Sequence, residues 1–170
     1  MRLFIAIQFD EHIIRELCRY QADLKSEGVS GNYSRRENLH ITLAFIGEYG
    51  NPDDVLEAME EVEFRPFEIK LDGIGQFGDI FWAGIANDPG LEAYVKRLRR
   101  QLAAQNIPFD KKRFSPHITL IRKASGNIAA AVAAAGAPTG QMNAAKVSLM
   151  KSERGKNGMI YTEIGTVYAS

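Results

Sequence analysis

The tetrapeptide His-Ile-Thr-Leu occurs twice in this chain, at residues 40–43 and again at 117–120. There are only three histidines, and two of them open these copies. The approaches are alike in character. Arg35-Arg36-Glu37-Asn38-Leu39 precedes the first and Lys111-Lys112-Arg113-Phe114-Ser115-Pro116 the second. A segment repeated about half a chain apart suggests a fold with two similar halves facing each other. On a strand, alternate side chains point to opposite faces. His40 and Thr42 therefore share one face and Ile41 and Leu43 the other, and His117 and Thr119 are opposed to Ile118 and Leu120 in the same way. The apolar pairs are expected to pack on helices. Both His/Thr pairs are then left facing a common cleft.

The rest of the chain fits around these two strands. Residues 3–9 are rich in β-formers and end at Asp10, a good helix cap. Ile13, Ile14, Leu17, Gln21 and Leu24 follow at helical spacing, which predicts a helix over residues 11–26 that stops near Gly28. On it, Cys18 reads as a small half-buried apolar side chain and His12 as a surface residue. Residues 29–34 read as a polar connection before the first motif strand at 39–47. Asn51-Pro52-Asp53-Asp54 starts a second helix with Val55, Leu56, Met59 and Val62 on its apolar face. Residues 64–71 alternate as a strand, Gly73, Gly75 and Gly78 suggest a loose turn, and residues 80–86 form a strand holding Trp82. Asn87-Asp88-Pro89-Gly90 opens the second half. Leu91, Tyr94, Val95, Leu98 and Leu102 make a helix face, opposite a basic run (Lys96, Arg97, Arg99, Arg100) that reads as solvated surface. The second motif strand spans 115–122, an Ala-rich helix spans 127–135, and residues 146–152 and 159–168 form a closing hairpin. This order predicts one bilobed α+β domain over residues 1–170. Its two pseudo-symmetric lobes each carry an antiparallel-rich sheet covered by helices, with the cleft between them.

Composition narrows the function. The chain has 170 residues, and Lys+Arg and Asp+Glu both number 21, so its net charge is zero. That argues against a general polyanion-coating protein and makes any nucleic-acid contact local. Cys18 is the only cysteine, which excludes an intramolecular disulfide and metal sites built on several thiolates. The apolar run near the N-terminus is too short to span a membrane, so a cytoplasmic protein is expected. Two histidines without nearby carboxylates make a poor metal-ligand set. Glu37 and Glu48 flank the first motif, but no matching pair flanks the second. Gly73-Ile74-Gly75 lacks the strand-to-helix setting of a dinucleotide site.

Two neutral-pH proton carriers across a cleft suit in-line displacement at phosphorus, one taking a proton from water and the other giving one to the leaving oxygen. Each Thr hydroxyl can donate to a non-bridging phosphate oxygen, and the charged transition state calls for a cation. Arg122 stands an odd step from His117, so strict alternation aims it away from the cleft. It reaches a phosphate there only if the strand bends or ends. Lys111, Lys112, Arg113, Arg35, Arg36 and Lys123 cluster near the motifs, where they could attract a polyanion locally; singly, each reads as a solvated charge.

These residues resemble the two-histidine phosphoesterase family, and within it the RNA 2′,3′-cyclic phosphodiesterases once described as 2′-5′ RNA ligases. The likeness rests on His40-Ile41-Thr42-Leu43 and His117-Ile118-Thr119-Leu120. It is extended by the Arg2-Leu3-Phe4-Ile5-Ala6-Ile7 opening, the Leu43-Ala44-Phe45-Ile46-Gly47-Glu48 continuation, Phe114-Ser115-Pro116, and Arg122. The resemblance implies metal-independent, cofactor-free hydrolysis of an RNA-terminal 2′,3′-cyclic phosphate to a 2′-phosphomonoester, by a protein expected to be a monomer. His40 would be the general acid and His117 the base. Thr42 and Thr119 would hold the phosphate with help from Arg122, and an aromatic would stack on the terminal base. The acid and base labels come from the resemblance, because the spacing alone is symmetric. Phe45, at an odd step from His40, is left without a place. Two other readings stay open: a cyclic phosphodiesterase acting on a small nucleotide or a 2′-5′-linked oligonucleotide, and an RNA-end-binding module without turnover.

Overall fold

The computed structural model describes residues Met1–Ser170. It has an α+β fold with two antiparallel sheets and four helices. In chain order the elements are β1 (Arg2–Ile7), α1 (Glu11–Ser26), β2 (Ser30–Tyr33), β3 (Ile41–Glu48), α2 (Pro52–Glu60), β4 (Phe67–Phe77), β5 (Ile80–Ile85), α3 (Pro89–Ala104), β6 (His117–Ser125), α4 (Ile128–Ala135), β7 (Gln141–Ala144), β8 (Lys146–Gly155) and β9 (Gly158–Tyr168). A single 3-10 turn at Arg36–Asn38 precedes β3. The first sheet has the strand order β3-β1-β8-β9 and the second β2-β6-β5-β4-β7.

The two sheets are not the two halves of the chain. Strands near both ends build the first sheet, while the second comes from the middle together with β2. The correspondence lies in the units β1-α1-β3 and β5-α3-β6. Each sets a strand beside its motif strand in antiparallel register, with a long helix between. Both helices cross over. Helix α1 packs on the second sheet, where Tyr20 stacks near Phe81 and Gln21 reaches the Leu120 carbonyl. Helix α3 reaches the first sheet through Arg99, which donates to the Leu43 carbonyl. Leu56 of α2 lies against Gly165 of β9. Apolar side chains from both sheets and all four helices join in one continuous core. No helix is long and apolar enough to cross a membrane.

Several local expectations are corrected. Residues 30–33 form the edge strand β2, and residues 141–144 form β7 beside β4. Three of the four β2 residues are exposed, so β2 carries no apolar pattern. Strand β7 does alternate, with Met142 and Ala144 buried and Gln141 and Asn143 exposed, but over only four residues. Strand β4 runs on through Gly73 and Gly75, and the turn is the Gly78-Asp79 pair. Gly75 is required where it stands because the Trp82 ring lies on it. A Cβ at residue 75 would come within 2.3 Å of the indole. The basic face of α3 is not uniformly solvated. Arg99 turns inward to the Leu43 and Lys112 carbonyls, and Arg97 caps the Glu63 carbonyl.

Candidate active site

Both motifs fold with their apolar residues inward. Ile41, Leu43, Ile118 and Leu120 are fully buried, whereas Thr42 is exposed and His40, His117 and Thr119 are half-buried. The two imidazoles are pinned alike. His40 Nδ1 lies 2.7 Å from the Asn38 carbonyl oxygen, and His117 Nδ1 lies 2.7 Å from that of Ser115, in each case two residues upstream. A carbonyl only accepts, so Nδ1 of each ring carries the proton. Each Nε2 is therefore the atom free to take up or release one. His40 Nε2 lies 2.9 Å from the Thr42 hydroxyl. The two histidines, both threonines and Arg122 line one cavity of about 380 Å³.

Arg122 and Phe45 enter that cavity against simple alternation, and for the same reason. In β6, Thr119 and Ile121 face the consecutive residues Trp82 and Phe81, so Leu120 is an extra residue. In β3, Thr42 and Ala44 face Ala6 and Ile5, so Leu43 is the extra residue. A β-bulge thus follows the Thr of each motif. Leu120 and Ile121 both point inward, as do Leu43 and Ala44. The parity of the strand resets, and the fifth residue after each histidine returns to the cleft. That residue is Phe45 on one side and Arg122 on the other. Each bulge carbonyl is met by a side chain from the crossing helix. Gln21 Nε2 donates to Leu120 O at 3.0 Å, and Arg99 donates to Leu43 O at 3.0 and 3.2 Å.

Aromatic rings flank both histidines. The His40 ring centroid is 5.0 Å from Phe4 and 5.3 Å, edge-on, from Tyr161. His117 is 5.2 Å, edge-on, from the half-exposed Phe77 and 6.1 Å from Trp82. Arg2 lies 4.9 Å over the Phe45 ring, adding a second cation to the cavity. Sequence reasoning missed Arg2, Phe4, Phe77, Tyr161 and Met159, and had placed Trp82 only as a strand residue. The signal for Phe4 was present but masked, since β1 is apolar on both faces: Leu3, Ile5 and Ile7 serve the main core while Phe4 and Ala6 join Met150 on the cleft side. Of the basic residues near the motifs, Arg36 pairs with Glu11 and Arg35 binds the Asn157 and Met159 carbonyls. No three His, Cys, Asp or Glu side chains gather as a metal-holding group.

The electrostatics of His40 follow from this packing. Burial is the main influence holding its pKa below the ordinary histidine value. The positive charges of Arg122 and His117 act in the same direction, and the Asn38 carbonyl opposes them. His40 is thus biased toward neutrality. An anion placed beside Arg122 would offset that cation's charge and favour the imidazolium.

Residues 9–156 match the 2′-5′ RNA ligase superfamily. A Methanocaldococcus jannaschii protein named RNA 2′,3′-cyclic phosphodiesterase is 33% identical over 129 residues, which cover 72% of this chain and 71% of that one. A Geobacillus stearothermophilus protein of the same name is 30% identical over 132 residues. These are 72% of this chain but only 42% of that protein's length. The Escherichia coli LigT structure complexed with 3′-AMP aligns at a TM-score of 0.82 with 26% identity, covering 99% of this chain and 97% of that one.

Proposed function

The chain belongs to the 2′-5′ RNA ligase superfamily, and from that membership we propose that it hydrolyses a 2′,3′-cyclic phosphate at the end of an RNA chain to a 2′-phosphomonoester. The observation that carries this reading is the pair of imidazoles pinned alike at Nδ1, each with Nε2 available in one shared cavity. Water attacks phosphorus as His117 Nε2 takes its proton. The bond from phosphorus to O3′ breaks as His40 Nε2 delivers a proton to that oxygen. Thr42 and Thr119 donate to the non-bridging oxygens, and Arg122 balances the negative charge that builds on them. Burial makes the His40 imidazolium a stronger acid than an exposed one, and the negative charge of a diester beside Arg122 would favour its protonated form before transfer. The names of the curated relatives and the LigT-like fold support the choice of substrate.

The test is turnover of an oligonucleotide bearing a 2′,3′-cyclic phosphate, in EDTA, with the product followed by phosphorus NMR. The expected product is the 2′-monoester, formed with a bell-shaped pH profile. His40→Ala and His117→Ala should each lower turnover by about 10²–10⁴-fold. Full activity in His117→Ala, or a 3′-monoester as product, would overturn the mechanism.

A further inference from the structure

The cleft has a second arm that the chemistry above does not use. Beyond the cavity holding both histidines lies a larger one of about 680 Å³. The two meet at His40, Thr119, Arg122, Met159 and Tyr161. From there the larger arm runs over β2 and the tip of the β8–β9 hairpin toward Lys25 near the end of α1. We propose that this arm is a groove for the phosphodiester backbone of the nucleotides preceding the cyclic phosphate, with Lys25 and Arg35 as its cationic contacts. RNA ends are then better substrates than a free 2′,3′-cyclic nucleotide. This inference rests on the proposed function and adds to it where the chain lies.

Charge is the first argument. The protein has as many carboxylates as cations, yet no Asp or Glu lines this arm while Lys25, Arg35 and Arg122 do. The remaining polar lining includes the neutral amides of Asn32, Asn38 and Asn157. A backbone with one negative charge per nucleotide fits such a surface, and the residues that position it need not read its bases. Position is the second argument. Asn32 on β2 is the register partner of Arg122, so the floor of the arm continues directly from the proposed phosphate site. Order is the third. The Tyr33 hydroxyl donates to the Val29 carbonyl at 2.6 Å, and Lys25 Nζ stands 5.8 Å above the Tyr33 ring with its ammonium donors available to an anion. On the opposite wall Arg35 Nη2 donates to the Asn157 and Met159 carbonyls, while its Nη1 lies 3.8 Å from Glu37. Gly158 permits that approach. It sits at φ +115°, and a Cβ there would come 3.1 Å from Arg35 Nη2. The groove is therefore largely formed before a ligand arrives.

The experiment measures kcat/KM for a 2′,3′-cyclic mononucleotide and for di-, tri- and tetranucleotides with the same end, at several salt concentrations. The proteins compared are the wild type, Lys25→Gln, Lys25→Glu and Lys25→Arg. In the wild type kcat/KM should rise over the first added nucleotides. Lys25→Gln should lower the oligonucleotide values by about threefold, through KM. Lys25→Glu should lower them further, and Lys25→Arg should restore them. The log–log salt dependence for oligonucleotides should become shallower in Lys25→Gln by up to about 0.7, the share of one phosphate contact on a single strand. Equal kcat/KM at all lengths in the wild type would overturn this inference and leave the proposed function standing. So would an equal loss on mononucleotide and oligonucleotide in Lys25→Glu, which would put the terminal nucleoside itself in this arm. A wild type that hydrolyses neither substrate would overturn both.

Discussion

At the scale of single residues, His40 is where burial and chemistry pull against each other. Its ring is walled by Phe4 and Tyr161, and its Nδ1 is committed to the Asn38 carbonyl. Burial first, and then the charges of Arg122 and His117, disfavour its protonated form in the folded chain. The unfolded chain has no such penalty, so it binds more protons at His40 as the pH falls through the ordinary histidine range near 6.5. The stability associated with a neutral His40 is intact above that range and is lost as the pH falls through the lowered folded value. His40→Gln should therefore flatten the decline in the urea midpoint on acidification, relative to the wild type. Equal pH slopes in the two proteins would show that His40 is not held neutral by the fold. Phosphate supplies the complementary measurement. Seated near Arg122, it offsets that charge, so the His40 imidazole resonances should titrate at higher pH in saturating inorganic phosphate. In Arg122→Gln one of the charges lowering the His40 pKa is already gone, so the upward movement should be smaller.

At the scale of elements, the site depends on two bulges as much as on two strands. The extra residue after each Thr brings Phe45 and Arg122 round to the cleft, and its carbonyl is held by a side chain from a helix that began on the other sheet. Gln21 is buried and also donates to the Ser34 carbonyl. Replacing it with Met keeps the volume and removes both donations. Gln21→Met should cost about 1–3 kcal/mol of stability. With the bulge less firmly held and Arg122 less well aligned to the charge that builds in the transition state, kcat for the cyclic phosphate should also fall more than KM rises. A lower denaturation midpoint with unaltered kcat would assign Gln21 a packing role alone. This dependence also explains what the sequence could and could not show. Helix α1 was legible to both ends because its apolar spacing, Asp10 and Gly28 all agree. The inward Ile and Leu of each motif were legible because period-two patterning fixes which face is buried. The parity change at Leu43 and Leu120 was not, because all of Leu43, Ala44, Leu120 and Ile121 are apolar and the partners that hold the bulges lie far away in sequence. For the same reason strict alternation turned Arg122 and Phe45 the wrong way. The edge strand β2 left no pattern because its residues are mostly exposed, and the alternation of β7, with Met142 and Ala144 inward, is too short at four residues to stand out from a loop.

At the scale of the whole molecule, the crossing helices tie each sheet to the unit that contributes the other motif. Helix α1 leaves the first sheet and supports β6, and α3 leaves the second and supports β3. Both sheets share one apolar core. Opening either sheet therefore removes a support from the motif strand of the other, which couples the two half-sites energetically. An anion bound between His40 and His117 is then expected to stabilise the entire chain rather than one lobe. Thermal unfolding followed by near-UV and far-UV circular dichroism should give coincident single transitions, moving upward together as inorganic phosphate is added. For a single site the gain is about 2.7 kcal/mol when phosphate reaches a hundred times its dissociation constant. Arg122→Gln should remove most of the phosphate dependence without separating the two signals. Two transitions, only one of them responding to phosphate, would mean that the sheets unfold independently and that the crossing helices do not couple the half-sites.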